Sequence, residues 1–482
     1  MTKQEIDAIA SKVTSGLGAA GVNPAVVYGT AGPSARSASV PDSPRGWLFD
    51  TVDEAVARAQ AAQRVLAAMT LEERGRLIEA MRGAGRDNAR KLAQMAHDET
   101  GYGQVEHKVL KNLLAANKTP GIEDLATQAW SGDYGLTLVE MAPFGVIASI
   151  TPSTNPPSTV INNSISMIAA GNAVVFNPHP AAKKVSREAM RVLNEAIAGA
   201  GGPEGLITTV REPTLESGAA IMAHPAIPLL SITGGEAVVR AAMKTGKKVI
   251  AAGPGNPPVI VDDTALLEKA AKDIVDGASF DNNVLCVAEK EVFAFDSVTD
   301  ALIAEMVKNG AFLVTGGDID KVLAVTLIHK DGKYVINRKY VGRSPSVILR
   351  DAGVAFSGEP SLVIAEVDPF HPFIMTEMLM PVLGIARVRD IDDAVAHAVR
   401  AEQGCQHSAL IHSTNVRNMS RAAHALNTTI FVKNAPSYAG LGFNGEGYAT
   451  LTIATPTGEG LTAAHSFTRA RRCVLYGDFR IV

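Results

Sequence analysis

From about residue 136 onward, short runs of apolar residues alternate with stretches whose apolar positions recur at helical spacing. The first runs occupy residues 145–150, 173–176, 205–210, 228–232 and 248–250. They are continuous and rich in branched side chains, whereas a strand with one face in water alternates apolar and polar residues. Runs of this kind, separated by helices, are typical of parallel strands covered on both faces. The pattern predicts a doubly wound α/β domain that binds a nucleotide.

A second alternation of strands and helices begins at residues 258–261 and continues to about Phe431, which predicts a second α/β domain. Upstream of the first sheet, Thr51 and Thr70 each stand three residues before a glutamate, the pattern of a capping box that starts a helix. A helical pattern then continues to about Leu125. We therefore assign residues 46–255 to the nucleotide-binding domain and 256–435 to the second domain.

Two segments look like arms outside these domains. One lies at about residues 130–140, and the other is the return segment 436–482, which is strand-like from about residue 448 with Gly and Pro breaks. Because the unpaired edge of an exposed strand readily pairs with another chain, we expect a homo-oligomer, either a dimer or a dimer of dimers.

The N-terminal residues predict an amphipathic helix at 1–17, followed by a flexible linker at 18–45 rich in Gly, Ala, Ser and Pro. A helix of this length is marginal by itself in water, so we expect its apolar stripe to dock on a partner. A terminal helix that packs on its own domain, or frays, remains an equal alternative.

Composition narrows the class of protein. The formal net charge of the 482 residues is -4, which argues against a nucleic-acid partner. We find no apolar run long enough to span a membrane and no secretory signal. The three cysteines are too few and too scattered for a disulfide framework or a metal site, so we expect a reducing, cytoplasmic location.

Cys286 is the candidate nucleophile, because it ends a loop of small and amide side chains that we expect at the edge of an apolar strand. The alternative is a buried cysteine that acts as a small hydrophobic residue. Asn155 lies in a proline-rich loop and can donate to an oxyanion, or it is an ordinary turn asparagine. His407 orients substrate or shuttles a proton, unless it is a packed histidine. Cys405 and Cys473 are expected to be structural.

The turn Thr233-Gly234-Gly235 lies between a predicted strand and a predicted helix. Small residues there let backbone N–H groups and the helix dipole meet a phosphate. The glycines at 440, 442 and 445 match a dinucleotide-binding spacing, but they lack the surrounding strand, turn and helix, and we interpret them as an ordinary loop.

These motifs occur in the order and spacing of the aldehyde dehydrogenase superfamily. Within it the chain most resembles the CoA-acylating propionaldehyde dehydrogenases of propanediol-utilisation microcompartments. The resemblance spans nearly everything after the linker and rests on TPSTNPP (151–157), TGG (233–235), GPGNPP (253–258), Cys286, TEMLMP (376–381), APFGVI (142–147), INNSISM (161–167), NPHP (177–180), FVKN (431–434) and IATPTGEG (453–460). It implies an aldehyde dehydrogenase-like α/β fold with two doubly wound domains and an oligomerisation arm.

The resemblance also implies residue roles. Cys286 would be the nucleophile, and Asn155 with the Cys286 backbone N–H would form the oxyanion hole. Glu377 would hold the nicotinamide ribose, Leu379 would face the nicotinamide, and the turn 233–235 would lie along the pyrophosphate. The remaining residues expected to bind the cofactor are Ile150, Thr151, Pro152, Asn177, Pro178, His179 and Gly253.

Two departures from relatives change the expected chemistry. Hydrolytic members carry a water-activating glutamate where residues 251–254 read Ala-Ala-Gly-Pro, so we expect the acyl acceptor to be a thiol. Asn177 replaces a lysine that many relatives use on the adenosine ribose, which leaves the choice between NAD and NADP open.

The resulting hypothesis is an NAD-dependent enzyme that oxidises a short aldehyde, propionaldehyde above all, to its acyl-CoA through a reversible thioester on Cys286. Acetaldehyde as main substrate, a hydrolytic or semialdehyde dehydrogenase, and a non-enzymatic scaffold are the alternatives. Residues 1–17 would be an encapsulation peptide for a microcompartment shell or core protein. Candidate contacts for the CoA phosphates are His179, Lys183, Lys184 and Arg472.

Overall fold

The computed structural model of the protein describes residues 46–482. The predicted amphipathic helix at 1–17 and the linker at 18–45 lie outside the described residues. The strands are β1 (Leu48–Phe49), β2 (Gln128–Gly132), β3 (Gly135–Pro143), β4 (Val146–Thr151), β5 (Ala173–Pro178), β6 (Ile207–Val210), β7 (Leu229–Thr233), β8 (Lys248–Ala252), β9 (Pro258–Val261), β10 (Glu291–Phe295), β11 (Ala311–Val314), β12 (Leu327–Lys330), β13 (Lys333–Ile336), β14 (Leu362–Glu366), β15 (Val382–Val388), β16 (Ser408–His412), β17 (Ile430–Lys433), β18 (Ile453–Ala454), β19 (Gly460–Leu461) and β20 (Thr468–Tyr476).

The helices are cited below by their bounds. They are Val52–Ala68, Leu71–Asp87, Ala89–Thr100, Val105–Lys118, Pro156–Ala169, Lys183–Gly199, Leu215–Ala223, Glu236–Met243, Leu267–Ser279, Asp296–Lys308, Gly317–Thr326, Pro345–Asp351, Pro372–Met375, Ile391–Glu402 and Val416–Leu426. Among residues 46–482, none of them combines the length and the hydropathy that a bilayer crossing requires.

The first sheet has six parallel strands in the order β1-β6-β5-β4-β7-β8. Every residue of β5 is buried, and so is every residue of the helix Pro156–Ala169, as expected for a sheet with helices on both faces. The five predicted runs correspond to β4 through β8. The two-residue strand β1 was missed, because two residues show no period.

The second sheet has seven parallel strands in the order β11-β14-β15-β10-β9-β16-β17. All its strands lie between residues 258 and 433. The predicted fold class, α/β with parallel sheets, is confirmed. The capping boxes at Thr51 and Thr70 are also confirmed, since each hydroxyl accepts from the backbone N–H of the glutamate three residues on, whose carboxylate accepts from the threonine N–H.

The two predicted arms pair with each other. Strands β2, β3 and β20 form a separate antiparallel sheet in which β3 is central. Trp130, Tyr134 and Tyr476 on this sheet are exposed, and the two tyrosine rings stack. Oligomerisation through the arms stays a prediction.

Asn172 ties the first sheet to the chain segments around it. Its Oδ1 accepts from the backbone N–H groups of Phe144 at 2.7 Å and Gly145 at 2.9 Å. Its Nδ2 donates to the carbonyls of Met167 at 3.2 Å and Phe467 at 2.9 Å. The side chain is fully buried, so its four bonds replace water for groups from three parts of the chain.

We expect Asn172→Ala to lower the free energy of unfolding by about 2–4 kcal/mol, because several buried backbone groups lose their partners. Urea unfolding followed by circular dichroism measures the change. Asn309→Ala, which removes an exposed asparagine that bonds its own helix, is the matched control and should cost less than about 1 kcal/mol. Equal losses for the two variants would contradict the assignment.

Candidate active site

The predicted cofactor residues at the ends of β4 and β5 lie at the carboxyl edge of the first sheet. The registers of β4 and β5 place Ile150 beside Asn177 and Thr151 beside Pro178. The His179 N–H donates to the Thr151 carbonyl at 3.0 Å. After β4 the chain continues to β5 and β6 on one side, then returns to β7 on the other, so this edge is the topological switch point where open α/β sheets bind ligands.

The turn Thr233-Gly234-Gly235 directly follows β7 and precedes the helix Glu236–Met243. The space above Gly235 is open, because an added Cβ would meet no atom within 4 Å. Nearby, the hydroxyls of Thr151 and Ser231 are buried and have no hydrogen-bond partner among the described residues. The open space above Gly235, the start of the helix Glu236–Met243 and the unused hydroxyls fit the phosphates and riboses of a nicotinamide dinucleotide.

Three further residues predicted to contact the cofactor or the CoA phosphates have different surroundings. Asn177 is held by Thr214 and Ser217: its Nδ2 donates to the Thr214 carbonyl at 3.2 Å, and its Oδ1 accepts from the Ser217 hydroxyl at 2.6 Å. Lys183 is paired with Glu212. Arg472 lies on β20 of the arm sheet, away from the first sheet's edge.

Cys286 lies in a turn, and the expected position at the edge of a strand is wrong, since β10 begins only at Glu291. Asp281, Asn282 and Asn283 precede it with φ of 50°, 52° and 63°, a left-handed conformation that is uncommon outside glycine. The side chains of all three are bonded. The Asn282 amide, for example, donates to the Gly342 carbonyl at 2.9 Å. Strain of this kind persists where surrounding bonds over-determine the backbone.

Lys290 supports the turn from inside. Its buried ammonium donates to the carbonyls of Asn283 and Leu285 at 3.1 Å each, and also to the Asn283 side chain. Burial raises the pKa of the Cys286 thiol to about 11, Glu377 adds to the rise, and Lys290 opposes it. In the chain without ligands, loss of hydration therefore outweighs the local dipoles of the polar loop.

His407 lies beside the same turn. An added Cβ on Gly255 would approach the His407 ring to 2.7 Å and the Cys286 carbonyl to 3.1 Å, so Gly255 lies directly between these two groups and close to both. His407 Nδ1 lies 2.9 Å from the Ser408 hydroxyl, whereas its buried Nε2 has no partner in residues 46–482. Burial, aided by Lys290, lowers the pKa of His407 to about 4, so the ring is neutral at pH 7 and is a weaker base than an ordinary histidine.

Glu377 and Leu379 lie between the helix Pro372–Met375 and β15. The Gly255 N–H lies 3.4 Å from Glu377 Oε1, and burial raises the pKa of Glu377 while Lys290 opposes the rise. Leu379 has a φ of 48°, an outlier for a branched residue, and its carbonyl accepts from the Gly342 N–H at 2.9 Å. At Gly253, an added Cβ would lie 2.9 Å from the Pro456 ring.

One part of the site was missed in the sequence. Lys108 and Lys111, on the helix Val105–Lys118, bury both ammonium groups against the Asp281 carboxylate. Lys111 Nζ also donates to Asn155 Oδ1 at 2.6 Å. Burial lowers the pKa of Lys111 to about 8 and Asp281 opposes this, so the group is mostly charged at pH 7. The signal was available, because residues 108, 111 and 115 share one helical face and Ala115 is apolar.

A model of the aldehyde dehydrogenase family matches residues 49–448. The chain belongs to the aldehyde dehydrogenase family. The predicted family and the predicted enzyme class, an oxidoreductase that acts on aldehydes, are confirmed.

Similar proteins include the acetylating acetaldehyde dehydrogenase EutE of Salmonella typhimurium, 50% identical over 438 residues that make up 90% of this chain and 93% of EutE. Among solved structures, the propionaldehyde dehydrogenase of the Clostridium phytofermentans fucose utilisation microcompartment has a TM-score of 0.88 at 48% identity, over 91% of this chain and 100% of that one. The Rhodopseudomonas palustris propionaldehyde dehydrogenase, solved with bound CoA and an acylated cysteine, has a TM-score of 0.87 at 47% identity, over 91% and 99%.

For this aldehyde dehydrogenase without ligands, we expect the rate of Cys286 alkylation by iodoacetamide to rise about tenfold per pH unit between about pH 7 and 9, because the raised pKa keeps the thiolate scarce. Peptide mass spectrometry follows residue 286 separately from Cys405 and Cys473. A rate that begins to level off by about pH 9 would show that the thiol has an ordinary pKa.

The ionisation of the buried Glu291 is expected to oppose folding. Both its carboxyl oxygens are buried without a partner among the described residues, and burial raises its pKa well above the ordinary value. The protonated form is therefore favoured by folding, and the stability that the proton contributes is lost as pH rises from the unfolded pKa towards the folded one. Glu291→Gln should raise the apparent Tm at pH 8, with the gain shrinking towards zero near pH 4.5.

Differential scanning fluorimetry across this pH range measures both proteins. Glu268→Gln, which removes an exposed negative charge, controls for the change in net charge. A Glu291→Gln gain that is the same at both ends of the range would mean that ionisation of Glu291 does not oppose folding.

Proposed function

We propose that the chain is a CoA-acylating aldehyde dehydrogenase that oxidises a short aliphatic aldehyde to its acyl-CoA while reducing a nicotinamide dinucleotide. The observation that carries the proposal is the contact of one ammonium group, that of Lys111, with both Asn155 and Asp281. It brings the candidate oxyanion donor to the turn that bears Cys286.

The first half-reaction uses Cys286 and Asn155. The Cys286 thiolate attacks the aldehyde carbon, so a carbon–sulfur bond forms and the carbonyl oxygen becomes an oxyanion. Asn155 Nδ2 and the Cys286 N–H donate to this oxygen. A nicotinamide dinucleotide, when bound, supplies the hydride acceptor. As the oxyanion collapses, the carbon loses hydride and an acyl thioester remains on Cys286 Sγ.

The acceptor in the second half-reaction is a thiol. Positions 251–254 provide no carboxylate to activate water, and Ala251 and Ala252 are buried at the end of β8. A thiol with a pKa near 8.5 needs far less help than water, at about 15.7, to attack a thioester. The thiol of CoA then displaces Cys286, whose sulfur leaves as the thiolate, and the same steps run backwards to reduce acyl-CoA.

His407 is the proposed proton acceptor for both thiols. Its Nε2, which has no partner among the described residues, and its place across Gly255 from the Cys286 carbonyl support this role. Because the Cys286 thiol is hardly ionised in the chain without ligands, a nearby neutral base lowers the barrier to attack. The packed-histidine alternative accounts for the burial of the ring but gives no use for Nε2.

The dinucleotide would be held at the carboxyl edge of the first sheet. The turn 233–235 would meet its pyrophosphate, Ile150, Thr151, Pro152, Asn177, Pro178, His179 and Gly253 would line the cleft, and Glu377 with Leu379 would hold the nicotinamide end. NAD is the proposed cofactor. Asn177 is held by Thr214 and Ser217, which leaves one N–H and one lone pair of its amide for the adenosine ribose.

Propionaldehyde is the proposed main substrate, with acetaldehyde as the close competitor. The two differ by one methylene, which an apolar pocket distinguishes by about 1–3 kcal/mol. The EutE relative acts on acetaldehyde, and the two solved neighbours act on propionaldehyde.

Association with a bacterial microcompartment is proposed as well, because one similar structure comes from such a compartment. Residues 1–17 would make the contact with a shell or core protein, and the arm sheet would make a homo-oligomer.

Steady-state kinetics with propionaldehyde and NAD test the proposed reaction. We expect sustained NADH formation with CoA and about one NADH per active site without it, since the acyl group stays on Cys286. Cys286→Ala should lower kcat by roughly 10³-fold or more. Cys473→Ala, which removes an exposed cysteine on the arm sheet, is the control.

Two outcomes would reject the proposal in different ways. Continued turnover without CoA, with release of free acid, would make the enzyme hydrolytic. Full activity of Cys286→Ala would remove residue 286 from the chemistry.

A further inference from the structure

A buried group of polar and charged side chains connects the candidate oxyanion donor to residues 281–286, the nucleophile turn, which ends at Cys286. It consists of Asn155, Lys111, Asp281 and Lys108. The Lys108 and Lys111 side chains are 3% exposed and that of Asp281 is fully buried. Asn155 begins the helix Pro156–Ala169, but its side chain makes no cap bond to that helix. Its orientation is therefore set by other contacts.

Lys111 fixes which way the Asn155 amide faces. An ammonium group has donors and no acceptor, so the atom 2.6 Å from Lys111 Nζ must be the amide oxygen. The amide nitrogen then points to the opposite side, where its recorded contact is a long one of 3.3 Å to the Thr154 hydroxyl. Nδ2 thus retains an N–H for another acceptor.

Asp281 holds Lys111 in place. Its Oδ2 accepts from Lys111 and, at 3.0 Å, from Lys108, while its Oδ1 accepts from the Gln104 N–H at 2.7 Å. Gly103 lies so close that an added Cβ would be 1.9 Å from Oδ1. The carboxylate has little room to move, and it begins the left-handed turn that leads to Cys286.

We propose that Lys111 is a positioning residue, whose ammonium, anchored by Asp281, directs the Asn155 N–H towards the oxyanion and ties it to the turn that carries the nucleophile. The inference rests on the proposed function, in which Asn155 donates to the oxyanion. Lys111 itself contacts no reacting atom. Without it, the Asn155 amide is free to rotate and to present its oxygen, which repels an oxyanion.

A double-mutant cycle tests the inference. Asn155→Ala should lower kcat for aldehyde oxidation by about 10²–10³-fold, the usual cost of losing one oxyanion donor. Lys111→Met, which keeps the length of the side chain but removes the donor, should lower kcat by about 10-fold to 100-fold with little change in KM for CoA or NAD. Because Lys111 acts through Asn155, the double variant should be no slower than Asn155→Ala alone.

Lys118→Met is the matched control, since it removes an ammonium group from the end of the same helix, where it donates to the Gly442 and Gly445 carbonyls. It should retain kcat within about threefold. If Lys111→Met does not fold, Lys111→Gln, which keeps an N–H donor, takes its place in the cycle. That variant should recover part of kcat in the presence of Asn155 and none in its absence.

The possible results separate clearly. Losses that multiply in the double variant, or a kcat for Lys111→Met equal to that of the wild type, would overturn the positioning role. If Asn155→Ala keeps the wild-type kcat while Cys286→Ala is inactive, the proposed role of Asn155 fails instead. Loss of kcat in Lys118→Met as large as in Lys111→Met would indicate a general effect of removing a lysine from this helix, and would also overturn the inference.

Discussion

The buried contact between Lys111 and Asp281 is the interaction on which the geometry of the candidate site depends. The buried ammonium groups of Lys108 and Lys111 share the single carboxylate of Asp281. The three side chains together therefore carry one positive charge that is not balanced within the group. Removing three charged groups from water costs several kcal/mol each, and their mutual attraction regains this cost only with good hydrogen bonds. Such a cluster is weak evidence for stability. It is better explained by what it specifies, the relative placement of Asn155 and the nucleophile turn.

Buried charged side chains also support the turn on the carboxyl-terminal side of Cys286. Glu289, Lys290 and Glu291 are consecutive and all buried. Lys290 holds the carbonyls of the nucleophile turn, and Glu289 accepts from Ser437. The site is thus framed by buried cations at Lys111 and Lys290, each bonded to the backbone or side chains of the turn. In this surrounding the free thiol is poorly ionised, because burial outweighs the attraction of Lys290. In the proposed mechanism the reactivity of the thiol then depends on a base, His407, and on the bound substrate, which limits side reactions of the free enzyme.

The parallel sheets explain why distant segments meet. Strands β4, β5 and β7 end at one edge of the first sheet, and each is followed by a loop that carries candidate cofactor contacts. A rigid sheet sets the positions of these loops to within the pairing register, while the loops themselves vary in chemistry. The candidate nucleophile comes from the segment before β10 in the second sheet, and Lys111, Gln104 and Gly103 contact that segment through Asp281. Lys111 also contacts Asn155, which follows β4 of the first sheet.

The sequence by itself determined the elements and the chemistry. Continuous branched runs gave β4 through β8, capping boxes gave two helix starts, and the motifs around Cys286, Asn155 and residues 251–254 gave the family and the thiol acceptor. These signals are local, because a buried strand, a capping box and the lack of a carboxylate at residues 251–254 can each be recognised within a few consecutive residues. The tertiary structure alone decided the raised pKa of Cys286, the neutral state of His407, the turn placement of Cys286 and the contacts of Lys111. Each of these properties depends on residues that are far apart in the sequence but packed together in the fold. Loss of hydration and the orientation of a side-chain amide are set by those neighbours, so a local sequence pattern does not predict them.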